Sequence, residues 1–163
     1  MSAALSLEVE LQPEWRNVTR ASEAVALLVL GTYGDDDLRD AIAMVSAELL
    51  ENAIKYADPQ KLVRLTIHDD AKVITVEVTN AVVKPEEVLR LAARLDWLRQ
   101  HPDPAAAWVE ALSLATAGTS TSERPGLGIL RIAHEGGSRV DYNVSEPGTL
   151  TVRASMTKTP ANE

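Results

Sequence analysis

Parts of the chain alternate between apolar and polar residues with a period of two, which is typical of strands with one buried face. Between residues 5 and 11, leucine and valine alternate with serine and glutamate. The alternation recurs in two closely spaced pairs of segments, residues 62–67 with 73–78 and residues 138–144 with 149–156. Short turn-forming stretches join the members of each pair, so the pattern predicts one strand followed later by two hairpins.

Five stretches between these strands are predicted to form helices, and the second shows an apolar repeat at steps of three and four. They span residues 18–30, 35–57, 85–99, 104–117 and 127–135. Asp35, Asp36 and Asp37 open the second helix. Carboxylates at that end cap free backbone amides and favour the positive end of the helix dipole. We therefore interpret these acids as capping residues rather than as a metal site.

The order of the elements predicts the α+β fold class. Strands paired as hairpins, with helices grouped between them, favour a two-layer α/β sandwich in which helices cover one face of a mixed, mostly antiparallel sheet. The length of 163 residues fits a single domain, predicted here for residues 1–157. We expect residues 118–125 to form a polar flexible loop and residues 158–163 to form a disordered tail.

The composition removes several classes of function. The chain has no cysteine, which excludes disulfides, thiol nucleophiles and cysteine zinc sites. A formal net charge of −8 argues against a broad basic surface for nucleic acid or for an anionic membrane. Residues 24–30, the longest apolar run, are far fewer than the roughly 20 that span a bilayer. Residues 1–12 lack a signal-peptide pattern, so we expect a cytoplasmic protein without nucleic-acid or membrane partners.

One side of the predicted helix 35–57 combines residues that can do chemistry. Glu48 and Asn52 lie one turn apart, and Lys55 follows on the same side. Asparagine is mildly unfavourable within a helix, because its side chain competes for backbone hydrogen bonds. A carboxylate and a carboxamide at this spacing can hold a divalent ion or position a hydroxyl group, and the lysine can meet phosphate. The alternative is an ordinary amphipathic helix with a solvated charged edge.

Two glycine-containing segments follow later in the chain. Gly126-Leu127-Gly128 stands where a loop enters a helix. Glycine lets the backbone approach a ligand closely there, and the helix N-terminus offers amides to an anion. Gly148-Thr149 begins the last predicted strand. Taken alone, each segment is also typical of a plain turn.

Taken together and in this order, the three segments resemble the GHKL family of ATP-binding domains, which includes gyrase and the histidine kinases. Residues 48–56, Glu-Leu-Leu-Glu-Asn-Ala-Ile-Lys-Tyr, are similar to the N box of that family. Gly126-Leu127-Gly128 resembles its second glycine box, and Gly148-Thr149 resembles its final Gly-Thr motif. The resemblance covers about residues 5–156 and implies the Bergerat-type ATP-binding fold, with ATP held between helices and a mobile lid.

The resemblance also implies a role for each matching residue at the phosphate end. Asn52 would be the Mg²⁺ ligand, Glu48 would be the general base or water-positioning acid, and Lys55 would lie near phosphate. Arg124 or Arg131 would meet the γ-phosphate. Magnesium and ATP are thus the implied cofactor and substrate nucleotide.

Gly126-Leu127-Gly128 would line the phosphate end of a lid at about residues 82–125, and Thr149 would lie near the adenine.

At the adenine end, the sequence departs from the family. The first glycine box, usually Asp-x-Gly-x-Gly, is degenerate here, because Asn80 stands in the place of the adenine-binding aspartate. A neutral amide accepts a weaker hydrogen bond than a carboxylate. Either nucleotide binds in a modified way, or the fold has lost it.

Within the family, a free-standing domain of this length is similar to the branch of anti-sigma factors and serine protein kinases. This resemblance implies phosphorylation of a serine or threonine in a regulatory partner, which would be sigma-factor-like or an anti-sigma antagonist. One alternative is a non-catalytic interaction module, using Trp97, Trp108, Leu95 and Leu112 of the lid helices, although such residues also pack on a domain's own core. A chance motif match in another α+β domain is the third reading. A homodimer is compatible with the sequence.

Overall fold

The computed structural model describes residues 5–117, 126–145 and 148–158. The strands are β1 (Ser6–Leu11), β2 (Val63–Asp69), β3 (Val73–Ala81), β4 (Arg139–Ser145) and β5 (Thr149–Thr157). The helices are α1 (Trp15–Tyr33), α2 (Asp36–Tyr56), α3 (Pro85–Arg99), α4 (Pro104–Thr116) and α5 (Leu127–His134). None of the helices in these ranges combines the length and apolarity needed to cross a membrane.

The five strands form one sheet in the order β1-β2-β3-β5-β4. The two predicted hairpins are present as β2 with β3 and β4 with β5. At the centre β3 runs beside β5, with Asn80 opposite Leu150 and Ala81 opposite Thr149. The predicted α+β class and two-layer sandwich are confirmed. All pairings between these strands are antiparallel, so the sheet is not mixed.

The core lies between the sheet and the helices because alternate strand residues face the same side. On β2 and β3 these residues are fully buried, among them Leu65, Ile67 and Val76. The long helix α2 packs on them with Ile42 and Leu50. Full burial of one such side chain contributes about 1.5–3 kcal/mol. This packing fixes the position of α2, which carries the predicted chemistry, relative to the sheet.

The opposite face of the sheet carries hydroxyl and charged side chains. Arg153 on β5 donates a 2.5 Å hydrogen bond to Glu77 on β3. The hydroxyl groups of Thr79 and Thr151 are 2.8 Å apart. Polar residues therefore alternate with the core residues along each central strand, as the period of two predicts.

The acids before α2 cap the helix, as predicted. The carboxylate of Asp35 accepts a 2.9 Å hydrogen bond from the backbone amide of Leu38. Asp36 and Asp37 lie in the first turn of the helix. The preceding helix starts earlier than predicted, at Trp15, and stops at Gly34, whose φ of 64° lies in the left-handed region that favours glycine.

Helices α3 and α4 lie in the part of the chain predicted as a lid. Trp97 and Trp108 are partly buried against a small cluster formed by Ala107, Ala111 and Leu130. Leu95 is buried, whereas Leu112 is exposed. Both tryptophans therefore pack within the protein itself. The predicted polar loop, residues 118–125, lies outside the described residues.

Lys158, which we assigned to a disordered tail, is instead held by the fold. Its backbone amide donates to the carbonyl of Lys72 at 2.9 Å. Its ammonium group donates to both carboxylate oxygens of Asp69, at 2.7 and 2.9 Å. The tail assignment was wrong at this position because a distant, buried carboxylate fixes the residue. The remaining residues, 159–163, lie outside the described part of the chain.

Candidate functional site

Glu48 on α2 lies against the first turn of α5. Its carboxylate occupies the space that a Cβ at Gly128 would need, so this contact requires glycine there. The other carboxylate oxygen accepts a 3.1 Å hydrogen bond from the guanidinium of Arg131. The side chain of Glu48 is 16% exposed. The interface between α2 and α5 thus presents a fixed carboxylate to solvent.

Asn52 joins this cluster from the next turn of α2. Its Nδ2 atom lies 3.9 Å from the position that a Cβ on Gly128 would take. Gly126 is the N-cap of α5. The structure therefore brings Glu48, Asn52 and Gly128 together, although they are far apart in sequence.

A cavity of about 30 Å³ lies between α2, the sheet and α3, and Asn52 lines one part of it. Most of its wall is apolar and includes Leu49, Ala53, Val78, Ile129, Leu150 and Val152. Asn80 on β3 also lines the cavity and is 3% exposed. Its amide nitrogen donates to the carbonyl of Ala81 at 3.3 Å. Asn52 and Asn80 therefore contribute to the same cavity.

Helix α3 closes the cavity with three residues that the sequence interpretation missed. Glu87, Leu91 and Arg94 follow one another at steps of four and three, so they share one face of the helix. Glu87 accepts a 2.9 Å hydrogen bond from Arg90. The Nε atom of Arg94 is buried and has no hydrogen-bond partner among the described residues. The helical spacing of these residues shows in the sequence that they share one face of α3. It does not show which part of the protein that face contacts.

Several predicted site residues do not join the cluster. Lys55 is exposed and lies with its ammonium 5.3 Å from the ring centre of Tyr56, away from the cavity wall. Gly126 has open space where its Cβ would be, and Leu127 is exposed. Arg124 lies outside the described residues.

Thr149 is also outside the cavity, which its neighbour Leu150 lines instead. Because side chains alternate along a strand, Thr149 projects from the opposite face of the sheet, beside Thr79 and Arg64. Gly148 has a φ of 89°, and a Cβ there would stand 3.3 Å from the carbonyl of Val82. The Gly-Thr segment therefore starts β5 close to the end of β3.

The charges around Glu48 form a short chain. Arg131 donates to Glu135 at 2.8 Å as well as to Glu48. The hydrogen bond to Glu135 is the main cause that raises the pKa of Arg131, and Glu48 adds to it. The guanidinium therefore stays charged and holds two carboxylates in place.

The two ends of the site differ in their fit to magnesium and ATP. The amide oxygen of Asn52 and the carboxylate of Glu48 are ligand types that Mg²⁺ accepts beside phosphate oxygens. In the described ranges, no group of three or more His, Asp or Glu side chains is placed to hold a metal ion. At the other end, a volume of about 30 Å³ has room for about two water molecules. The space between α2, α3 and the sheet is therefore small for a purine base.

The fold has a counterpart among solved structures. A chain in the crystal structure of the SiaB-SiaC complex from Pseudomonas aeruginosa superposes with a TM-score of 0.72 at 15% sequence identity. The match covers 95% of this chain and 90% of that chain. No family model and no curated protein matches the sequence. At this identity, the likeness establishes a shared fold.

Proposed function

We propose that this chain is an ATP-binding regulatory protein that phosphorylates a serine or threonine of a partner protein, with Mg-ATP as phosphoryl donor. The observation that carries the proposal is the convergence of Glu48, Asn52 and Gly128 beside the cavity that Asn80 lines. A carboxylate as proton acceptor and an amide oxygen as metal ligand are groups that this reaction needs, and Gly128 leaves room for the carboxylate.

Each residue has a definite task in this reaction. The amide oxygen of Asn52 would hold Mg²⁺, and the ion would offset charge on the transferring phosphoryl group. The oxygen of the partner's hydroxyl group bonds to the γ-phosphorus while Glu48 accepts the hydroxyl proton. ADP departs with the bridging oxygen. Arg131 keeps the Glu48 carboxylate in one orientation. Lys55 and Arg124 remain predicted phosphate contacts.

The likeness in fold supports a protein partner. The similar chain was solved in a complex named SiaB-SiaC. We infer that this chain also acts by binding a second regulatory protein, sigma-factor-like or an anti-sigma antagonist, within the cytoplasm. The partner would present its hydroxyl group to Glu48, whose side chain is open to solvent in part.

The first experiment is calorimetric titration with ATP, with and without magnesium. We expect wild-type protein to bind Mg-ATP and Asn52→Ala to lose the magnesium-dependent part. Asn143→Ala, on the exposed edge strand β4, is the matched control. An absence of binding by wild type at millimolar ATP would overturn the proposal.

The second experiment tests transfer. Proteins that bind to the purified chain are taken as candidate partners. The chain and each candidate are then incubated together with ATP labelled at the γ-phosphate. We expect Glu48→Gln to abolish labelling, because it removes the proton acceptor. Glu51→Gln, an exposed residue of the same helix, is expected to label like wild type.

A second candidate function is a non-catalytic interaction module on the same fold. The observation that favours it is the cavity of about 30 Å³, closed by α3 and lined by Asn80 in place of a carboxylate. Such a module would hold its partner equally well with and without ATP, and Asn52→Ala would not change that affinity.

A further inference from the structure

Arg94 carries the one buried side-chain nitrogen or oxygen without a hydrogen-bond partner among the described residues, its Nε atom. A buried donor that lacks an acceptor lowers the stability of the folded state. Native proteins satisfy nearly all such atoms, and an exception at a cavity calls for an explanation. We therefore expect the Nε–H group of Arg94 to have a function that offsets the energetic cost of leaving it unbonded.

The other arginines of the same helix face outward and are paired. Arg90 donates to Glu87 at 2.9 Å. Arg99 donates to Asp96 and Asp141 at 3.2 and 3.1 Å. Arg94 instead lines the cavity between α2, the sheet and α3. The unbonded donor is thus specific to the helix face that closes the cavity.

The cavity restricts what could satisfy Arg94. The Nε–H group can only donate, so its partner must be an acceptor. The other polar residues that line the cavity are Asn52, Tyr56, Asn80 and Glu87, and none of them accepts a hydrogen bond from Nε of Arg94. The apolar walls suit the faces of a planar heterocycle.

We propose that Arg94 is a ligand-contacting residue that donates its inner N–H to an acceptor on a nucleotide bound in this cavity. The acceptor is a ring nitrogen or carbonyl of the base, or a phosphate oxygen. If α3 moves outward to admit the base, the length of the arginine side chain lets the contact form from the displaced helix. The proposal rests on the nucleotide binding proposed above.

Two substitutions separate the inner donor from the charge. Arg94→Lys keeps a cation but places a methylene group where Nε stands, whereas Arg94→Met removes both. Arg99→Met, on the same helix and exposed, is the matched control. The readouts are the melting temperature of the ligand-free protein and calorimetric affinities for Mg-ATP, adenosine and tripolyphosphate.

We expect opposite effects on stability and on binding. Arg94→Met raises the melting temperature of the free protein by about 2–4 °C, because it removes an unbonded buried donor. Both Arg94 variants weaken Mg-ATP binding about tenfold or more, while Arg99→Met leaves that affinity unchanged. A parallel loss of adenosine affinity assigns the contact to the nucleoside, and a parallel loss of tripolyphosphate affinity assigns it to phosphate.

A purely structural arginine gives a different result. If Arg94→Met lowers the melting temperature, or if both variants bind all three probes like wild type, Arg94 is not a ligand contact. Wild-type protein that binds none of the three probes overturns the nucleotide proposal itself. The two failures are distinguishable because only the second appears in the unmodified chain.

Discussion

The carboxylate of Glu48 stands where a side chain on Gly128 would be. This contact joins two motifs that are 80 positions apart in the sequence. It also assigns Gly128 a role that Gly126 does not share, because a Cβ at Gly126 would meet no atom within 4 Å. The second glycine of the Gly-Leu-Gly segment is therefore needed to position an acid.

Gly128→Ala is expected to displace Glu48 while leaving the fold intact. The atom that must move is the end of a flexible side chain, and alanine is favoured over glycine in a helix by about 1 kcal/mol. We expect the free energy of unfolding to change by less than about 1 kcal/mol. Phosphoryl transfer should fall about 100-fold or more, as for loss of a general base. Urea denaturation and a transfer assay measure the two effects.

Gly126→Ala is the matched control for that change. Because its Cβ points into open space, transfer should stay within about twofold of wild type, and stability should change by only a few tenths of a kcal/mol up to about 1 kcal/mol. Equal loss of transfer in both alanine variants would show that the whole segment, rather than the space beside Glu48, matters.

Thr149→Val tests the placement of the Gly-Thr segment. Thr149 lies on the polar face of the sheet, whereas Leu150 lines the cavity. We expect Thr149→Val to leave Mg-ATP affinity unchanged. Leu150→Ala, by contrast, is expected to cost about 2–4 kcal/mol of stability, since it empties space in the core. An affinity loss of about tenfold in Thr149→Val would contradict the placement.

The sequence predicted the strands and helices well because each buries one face, and burial leaves a period of two or 3.6 in the pattern. Glu48 and Asn52 could be located on α2 for the same reason. The resemblance to a known family implied that these residues and Gly128 belong to the phosphate end of one site, but neither it nor periodicity predicted that the Glu48 carboxylate fills the space beside Gly128. The position of Thr149 was harder, because a shift of one residue along a strand reverses the face.

The contacts of Arg94 and Lys158 could not be predicted from sequence patterns. A charged residue on a helix is usually solvated, so the helical spacing gave no reason to place Arg94 at a cavity. Lys158 follows the last strand, where chain ends are commonly disordered. Its partner, Asp69, is 89 positions away. Such contacts depend on tertiary packing, and a local pattern carries no information about them.

Asn80→Asp is expected to trade stability for affinity. Asn80 is 3% exposed, and a carboxylate buried there would lose solvation. We expect ligand-free protein to lose about 1–3 kcal/mol. A carboxylate is a stronger acceptor than an amide, so Mg-ATP affinity should rise. Urea denaturation with and without Mg-ATP measures both effects, and Asn143→Asp on β4 is the exposed control. Unchanged affinity would mean that Asn80 does not contact the nucleotide.

Asp69 links three distant parts of the chain. Its carboxylate accepts hydrogen bonds from the hydroxyl group of Tyr33 at 2.6 Å, from Lys158 at 2.7 Å and from the amide of Ala71 at 2.9 Å. Burial is the main cause that raises the pKa of Tyr33 far above its usual value. Burial also acts to raise the pKa of Asp69, but these hydrogen bonds outweigh it and lower that pKa below the usual range.

Acid should therefore weaken the fold through Asp69. Because the pKa of Asp69 is lower in the folded state than its unfolded value of about 3.9, its contribution is complete above that pH and is lost as the pH falls through the folded value. At pH 7, Lys158→Met should cost about 3 kcal/mol by leaving a buried carboxylate unpaired. The difference from wild type should shrink as the pH falls below about 4 and through the lowered folded pKa of Asp69, and it should vanish once that carboxyl group is protonated in both proteins. Urea denaturation from pH 2 to 7 measures this, with exposed Lys61→Met as the control; a pH-independent difference would show that Lys158 contributes through packing alone.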